Sequence, residues 1–243
     1  MSELRVIPVT GLPEVTEGAK VGELIAGRAE LRDGDVVVIS QKIVSKAEGM
    51  VRRLADVVPS ERAVELGEKL GREPELVELV LSESREVLRE DRVLITETKH
   101  GLVCANAGID ASNLPDDGTV CLLPTDPDAS ARRIRAELGA RVGVVIADSF
   151  GRAWRLGQAE VAIGCAGLTP LDDWRGRTDS SGRELQATAI AIADEAAAAA
   201  DLVRDKTSGV PAVVLRGLAR HVTAEDGPGA AALHRPPDED LFR

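Results

Sequence analysis

Two apolar runs restrict the folds open to this chain. Asp35-Val36-Val37-Val38-Ile39 and Val142 to Ala147 are nearly unbroken β-branched stretches, and such runs, bounded by turn or polar residues, read as buried strands. The first follows Asp33-Gly34 and exits into Ser40, Gln41, Lys42, Ser45, Lys46 and Glu48. The second stops at Asp148-Ser149-Phe150-Gly151-Arg152. Each exit therefore delivers hydroxyl and charged groups that could serve a site. A chain of 243 residues is long enough to enclose a substantial core around such strands.

The remaining segments add helices and further strands. Val6 to Val9 reads as an opening strand before Gly11-Leu12-Pro13, and Val21 to Ile25 as a short helix. Ser60 is placed to cap a helix over residues 60–70, and Pro74 to begin a second one reaching Leu88, so that residues 60–89 read as a helical insertion. Val93 to Thr96 and Leu102 to Cys104 read as strands joined at His100-Gly101, followed by the loop Asn106-Ala107-Gly108-Ile109-Asp110. Val120 to Leu123 is a further strand; Asp126 and Pro127 then open a helix running through Ile134 and Leu138 toward Gly139. Residues 161–169 read as a strand or core segment, Asp172 to Arg183 as an ordered loop, and alanine-rich Glu184 to Val203 as one long helix. Ala212 to Leu215 is a last strand, and the Pro, Gly, Ala and charge of the segment after 224 read as a loose tail over residues 224–243. The sum is an α+β fold in a provisional single domain, 1–243, without a clean βαβ repeat.

Composition narrows the function classes. With 41 acidic against 30 basic residues and a formal charge of −11, the chain repels a nucleic-acid backbone, although a local basic cleft could hold one nucleotide. No apolar run reaches membrane-spanning length, and Met1-Ser2-Glu3-Leu4-Arg5 lacks the regions of a secretory signal, so a cytoplasmic protein is expected. Cys104, Cys121 and Cys165 show no close metal-ligand spacing and read as reduced thiols, while His100, His221 and His234 are scattered. Oxygen ligands are the better metal candidates.

Asp110 and Asn113, together with Asp148 and Ser149, fall near expected strand ends. Carboxylate and hydroxyl oxygens suit magnesium or manganese, and such an ion between phosphate oxygens would neutralise charge during phosphoryl transfer. Asp205 would join them if the long helix ended at the same place. Each acid has a plain alternative: Asp110 a turn, Asp148 a strand terminus, Asp205 a solvated position. Lys42, Lys46, Arg152, Arg155, Arg175 and Arg177 could contact a phosphate or carboxylate, against the default of a solvated face. Neither Gly-x-x-x-x-Gly-Lys-Ser/Thr nor Gly-x-Gly-x-x-Gly occurs in the required context, which argues against P-loop and Rossmann cradles.

The ordered set Val9-Thr10-Gly11-Leu12-Pro13, Ser45-Lys46-Ala47-Glu48-Gly49, Asn106 to Asn113 and Asp148-Ser149-Phe150-Gly151-Arg152, followed by Trp154 to Gln158, Val161 to Gly164 and Gly209-Val210-Pro211, resembles the coenzyme F420-0 gamma-glutamyl ligase family over nearly all of residues 5–222. The resemblance implies an unusual mixed α/β fold, commonly a homodimer, that is neither P-loop nor Rossmann. It implies GTP contacts from Thr10, Gly11, Leu12, Pro13, Gln41, Lys46 and Asn113. The same is implied for Asp205, Lys206, Thr207, Ser208, Gly209, Val210, Pro211 and Ala212. It implies Mg²⁺ or Mn²⁺ at Asp110, Asp148, Ser149 and Asp205, with a monovalent cation such as K⁺ as a further expectation. Ser149 stands where the family often has threonine, and Asp205 where some relatives have an amide.

The implied reaction attaches L-glutamate to coenzyme F420-0 through an acyl phosphate while GTP becomes GDP, and can continue to a gamma-linked addition on F420-1. The general base for the amine is not identified. The polar loop around Arg175, Arg177 and Asp179 could help recognise a precursor or glutamate. Two other readings stay open on the residues alone: a metal-dependent nucleotide hydrolase or phosphotransferase, and a noncatalytic nucleotide-binding regulator.

Overall fold

A computed structural model describes residues 3–112, 114, 116, 118–204 and 207–240. In chain order its elements begin with β1 (Arg5–Val9), α1 (Val21–Ala26), β2 (Val36–Ser40), α2 (Gln41–Ala47) and β3 (Val51–Arg53). There follow α3 (Glu61–Leu70), α4 (Pro74–Ser82), β4 (Ser84–Glu90), β5 (Leu94–Thr98), β6 (Val103–Ala105) and β7 (Thr119–Cys121). The second half holds α5 (Pro127–Glu137), β8 (Gly143–Arg152), β9 (Arg155–Ala166), β10 (Asp172–Asp173), β11 (Ala189–Ile190), α6 (Ile192–Asp201) and β12 (Ala212–Arg216).

The main sheet has the order β1-β12-β2-β8-β9. β2 runs parallel to β8, while β12 is antiparallel to both β1 and β2, and β9 antiparallel to β8. β1, β2 and β8 therefore point the same way. Their C-terminal ends meet the N-terminal end of β12 at one edge, in the register Val9↔Ala212↔Ile39 and Ser40↔Ala147.

Helices cover both faces, and this is why β2 and the first half of β8 have no polar alternation. Val37, Ile39, Val144 and Ile146 pack with Val21, Ile25, Ala131 and Ile134 of α1 and α5. Val36, Val38, Val145 and Ala147 pack with Ile192, Ala193, Ala196 and Ala197 of α6. Among the described residues the fully buried apolar side chains are Val, Ile, Leu, Ala and Cys, with no aromatic ring; Phe150 only borders the core. A smaller cluster joins Ala63, Leu66, Val77 and Val80 of α3 and α4 to Leu94 and Ala107.

Several expected elements appear with their expected caps: Ser60 accepts from the Ala63 amide and Asp126 from the Ala129 amide. Three expectations change. The helix from Pro74 ends at Ser82 instead of Leu88, because residues 84–90 take their backbone partners from β5, with Val87 opposite Thr96. Apolar residues at 80, 81, 87 and 88 satisfy either period, and the pairing decides. The long helix from Glu184 starts only at Ile192, because Leu185 donates to the Arg177 carbonyl and Trp174 to that of Thr188, which commits 184–190 to the preceding loop. The strand expected to stop at Ala147 continues to Arg152 and returns as β9 from Arg155, so Asp148 and Ser149 stand within a hairpin and not in a loop.

The segment after residue 224 is fastened at several points. Ala230 is fully buried and its amide donates to Asp128 Oδ1 (2.8 Å), while Arg135 Nη1 donates to Asp226 Oδ1 (2.6 Å). All three cysteines are free and buried. No helix among the described residues is long and apolar enough to cross a membrane.

Gly164 fixes how closely α5 lies on β9: a Cβ there would stand 2.4 Å from the Pro127 carbonyl. Gly164→Ala should therefore cost about 2–3 kcal/mol of stability by overpacking. Gly151→Ala, where a Cβ meets open space, should stay within about 0.5 kcal/mol of the parent in the same urea titration.

Candidate active site

The edge where β1, β2 and β8 end is the floor of a cleft of about 540 Å³. Leu12 and Pro13 arrive from β1, while β2 turns directly into α2 and presents Ser40, Gln41, Lys42, Ile43 and Lys46. The Ser40 amide donates to the Pro211 carbonyl (2.8 Å), which ties that exit to Thr207, Gly209, Val210 and Pro211 ahead of β12. Asp110, Ser112, Asp148, Ser149, Glu160 and Arg204 complete the charged wall.

Strand alternation splits β8 at this wall. Asp148 follows Val144 and Ile146 onto the α5 side, opposite Val161, whereas Ser149 follows Val145 and Ala147 onto the α6 side, opposite Glu160. On the first side Lys42 Nζ donates to Asp110 Oδ2 (2.7 Å) and Ser112 Oγ (2.8 Å). On the second, Ser149 Oγ donates to Glu160 Oε1 (2.7 Å), and Arg204 Nη2 lies 3.0 Å from Glu160 Oε2. This last pair is buried, with side chains 7% and 9% exposed, and among the described residues Arg204 Nη1 has no hydrogen-bond acceptor. Lys46 Nζ bonds Glu14 (2.6 Å) at the opposite side of the cleft.

Burial pushes the Asp148 carboxyl up to about 7, against the Ser149 amide, which stabilises its charge; the neighbouring Glu160 and Asp110 carboxylates raise it further. Burial also acts to raise Asp110, but Lys42 and the Ser112 amide outweigh it and hold that carboxyl below its ordinary range. Cys104, behind this wall, is pushed up to about 12 by burial and by the Asp148 charge, so it is a thiol and no nucleophile at neutral pH.

A second cavity of about 280 Å³ shares the Asp110, Ser112, Asp148 and Ser149 wall. Its far side carries Asn106 and Gly108, and Gln158 of β9 also lines it. Asn106, Ala107 and Gly108 all have positive φ, at 50°, 52° and 72°. Two successive non-glycine residues in this region store backbone strain.

The donor set fits a hard divalent cation: Asp110, Asp148 and the Ser149 hydroxyl offer oxygen only, and among the described residues no cation is bonded to the half-buried Asp148 carboxyl. Among the described residues no three His, Cys, Asp or Glu side chains already converge as a coordination shell, and Lys42 holds one Asp110 oxygen.

Of the residues read as nucleotide contacts, Leu12, Pro13, Gln41, Lys46, Thr207, Gly209, Val210 and Pro211 line the cleft together. Thr10, Gly11 and Ser208 are chain neighbours of that lining, and Ala212 is fully buried between β1 and β2. Asn113, Asp205 and Lys206 lie outside the described residues. Arg152, Arg155, Arg175, Arg177 and Asp179 do not line the cleft. Arg175 instead pairs with Asp173, and Arg177 stacks 5.0 Å from the Trp174 ring. Sequence reading gave no site role to Glu160, Arg204 or Ser112, and left Lys42 undecided between ligand and surface. Glu160 becomes visible only once β8 and β9 are paired, and Arg204 only once α6 is ended near the cleft.

Two outcomes follow for purified protein in chelator. Because Asp148 is raised in the folded state, its contribution favours the fold at low pH and is lost as pH climbs from about 4 through about 7. Asp148→Asn should therefore match the parent in urea midpoint near pH 4 and exceed it near pH 8. Arg204→Met should cost about 3–5 kcal/mol by stranding the Glu160 carboxylate, and adding Glu160→Gln should recover much of that loss.

Comparison with known sequences identifies the family. The profile of the F420-0:Gamma-glutamyl ligase family matches residues 11–217. The chain is 44% identical over 245 residues to the coenzyme F420:L-glutamate ligase of Archaeoglobus fulgidus, covering 99% of this chain and 96% of that one. It is 44% identical over 251 residues to the protein of the same name from Methanothermobacter thermautotrophicus, covering 99% of each. With that of Halobacterium salinarum it shares 43% over 242 residues, covering 97% and 94%. A match of this extent, across every segment that builds the cleft, makes the chain a member of the F420-0:gamma-glutamyl ligase family.

Proposed function

We propose that this protein ligates L-glutamate to coenzyme F420-0, with GTP as the phosphoryl donor and GDP as product, and that it can add a second, gamma-linked glutamate to F420-1. The observation that carries the reading is the mixed cleft: apolar Leu12, Val15, Ile43 and Val210 can face a base and sugar, while Lys42, Lys46 and Arg204 supply positive charge for phosphates. The acidic wall of Asp110 and Asp148 stands beside them.

In this reading a carboxylate oxygen of the F420 precursor attacks the γ-phosphorus and the bond to GDP breaks, leaving an acyl phosphate. The glutamate amine then attacks the acyl carbon, phosphate leaves with the bonding electrons, and the nitrogen loses its proton as the amide forms. Asp110, Asp148 and Ser149 would hold Mg²⁺ or Mn²⁺, with Asp205 as a further candidate and a monovalent cation such as K⁺ as an accessory. A bound divalent cation would offset the charge of the transferring phosphoryl group. Lys42 and Lys46 orient the phosphates, and the Glu160 and Arg204 pair fixes one cation against the wall. Glu160 orients both Ser149 and Arg204, a role open to test by comparing Glu160→Gln with Glu160→Asp.

Homodimer assembly belongs to the same proposal. Trp154 and Leu156, 87% and 96% exposed at the β8–β9 hairpin tip, supply an apolar surface for it. Replacing both by serine should convert a dimer into a monomer in light scattering.

Incubation with F420-0, L-glutamate, GTP and Mg²⁺ or Mn²⁺ should give a glutamylated product by mass, with one GDP per amide bond and none of that product when any component is omitted. GDP without an amide product would favour a hydrolase or phosphotransferase. Binding of GTP with neither product would favour a regulator. Lys46→Met should lower kcat/KM for GTP by about 10²-fold if it contacts phosphate, from the loss of a charge-assisted bond.

A further inference from the structure

We infer that Lys42 is a placeholder cation: its ammonium neutralises Asp110 until a divalent ion takes that carboxylate, and it then passes to a phosphate oxygen of the nucleotide. This role rests on the metal and nucleotide assignments proposed above and joins them through one side chain.

The ammonium is fully engaged where it stands. A lysine has three N–H donors, and Lys42 Nζ meets three acceptors on one loop: Asp110 Oδ2 (2.7 Å), Ser112 Oγ (2.8 Å) and the Ser112 carbonyl. A bond to phosphate therefore requires that one of these be given up. Asp110 is engaged to the same degree. Its Oδ1 accepts from the Ser112 amide (2.7 Å), and its Oδ2 accepts from Ser112 Oγ (3.0 Å) as well as from Lys42. A divalent ion drawn to this carboxylate meets a charge already neutralised, and an ion and an ammonium held on one carboxylate repel each other.

The surroundings permit the exchange. Lys42 lines the larger cleft as well as holding the acidic wall, and its side chain is 13% exposed. Lysine carries a compact point charge on a flexible four-carbon stem, so Nζ can change partner while α2 stays in place. The charge-assisted bond lost at Asp110 is replaced by one of the same kind at phosphate. Metal and nucleotide are thereby coupled: the ion releases the ammonium that phosphate needs, phosphate draws away the ammonium that opposes the ion, and each raises the affinity of the other by the same factor. Lys46 provides the comparison. It borders the same cleft, but the carboxylate it bonds is that of Glu14, at the side opposite the acidic wall.

The test is binding of Mn²⁺ to the full-length protein, read from the electron paramagnetic resonance of the free ion, first without nucleotide and then with saturating GDP. Without nucleotide, Lys42→Met and Lys42→Gln should each tighten the Kd for Mn²⁺ by about tenfold, while Lys46→Met leaves it within about threefold of the parent. GDP should tighten Mn²⁺ binding to the parent by a factor about tenfold larger than in Lys42→Met. Unchanged or weaker Mn²⁺ binding in both Lys42 variants overturns the role, as does an equal gain in Lys46→Met, which would reduce the effect to net charge in the cleft. An equal effect of GDP on parent and Lys42→Met overturns the passage to phosphate. Adding Asp148→Asn to Lys42→Met should abolish the tight binding; Mn²⁺ that stays bound in that double variant lies elsewhere, which overturns the metal assignment together with the role of Lys42. Glutamate-dependent amide product from the parent protein tests the ligase reading separately.

Discussion

The hydrogen-bonded register of β1, β12, β2 and β8 is the constraint on which the cleft depends. Three parallel-pointing strands end where the antiparallel β12 begins, so segments near residues 12, 41, 148 and 210 become neighbours although they are far apart in the chain. The Ser40 amide bond to the Pro211 carbonyl closes this arrangement just beyond the last paired residues. Shifting any strand by one residue would turn its apolar positions toward the wrong helix layer. The core and the site are therefore specified by one register.

β8 shows how the same strand serves both. Up to Ala147 it is buried on both faces, and beyond it the residues turn polar while the pairing with β9 goes on. Continued pairing keeps Asp148 and Ser149 on opposite faces of a rigid hairpin. A loop could not hold that division as firmly, and the division gives the acidic wall two sides.

Much of the fold was legible where one residue class answers one physical demand. Valine runs marked the strands covered on both sides, and Ser60, Asp126 and Pro127 marked helix starts through bonds made within a few residues. The errors fell where the deciding partner is distant. Val87 and Leu88 fit a helix until β5 claims their backbone, and the alanines before Ile192 favour helix until the 172–178 loop does the same. The site divides in the same way. Asp110, Asp148 and Lys46, singled out from the sequence as candidates, line the cleft, while Glu160 and Arg204 acquire meaning only across the hairpin and beyond α6. Asn113, Asp205 and Lys206 lie outside the described residues.

The aliphatic core also determines how this molecule can be observed. The chain has no tyrosine, two tryptophans and two phenylalanines. Trp154 sits at the hairpin tip and Trp174 in the 172–190 loop, both outside the buried clusters. Near-ultraviolet absorption, fluorescence and circular dichroism thus come almost entirely from two peripheral rings. An intrinsic emission signal will follow hairpin contacts or motion of the loop while the sheet beneath remains intact. Conversely, loss of the packed interior is invisible to it unless those two segments move, and far-ultraviolet circular dichroism or hydrogen exchange is what registers the sheet itself.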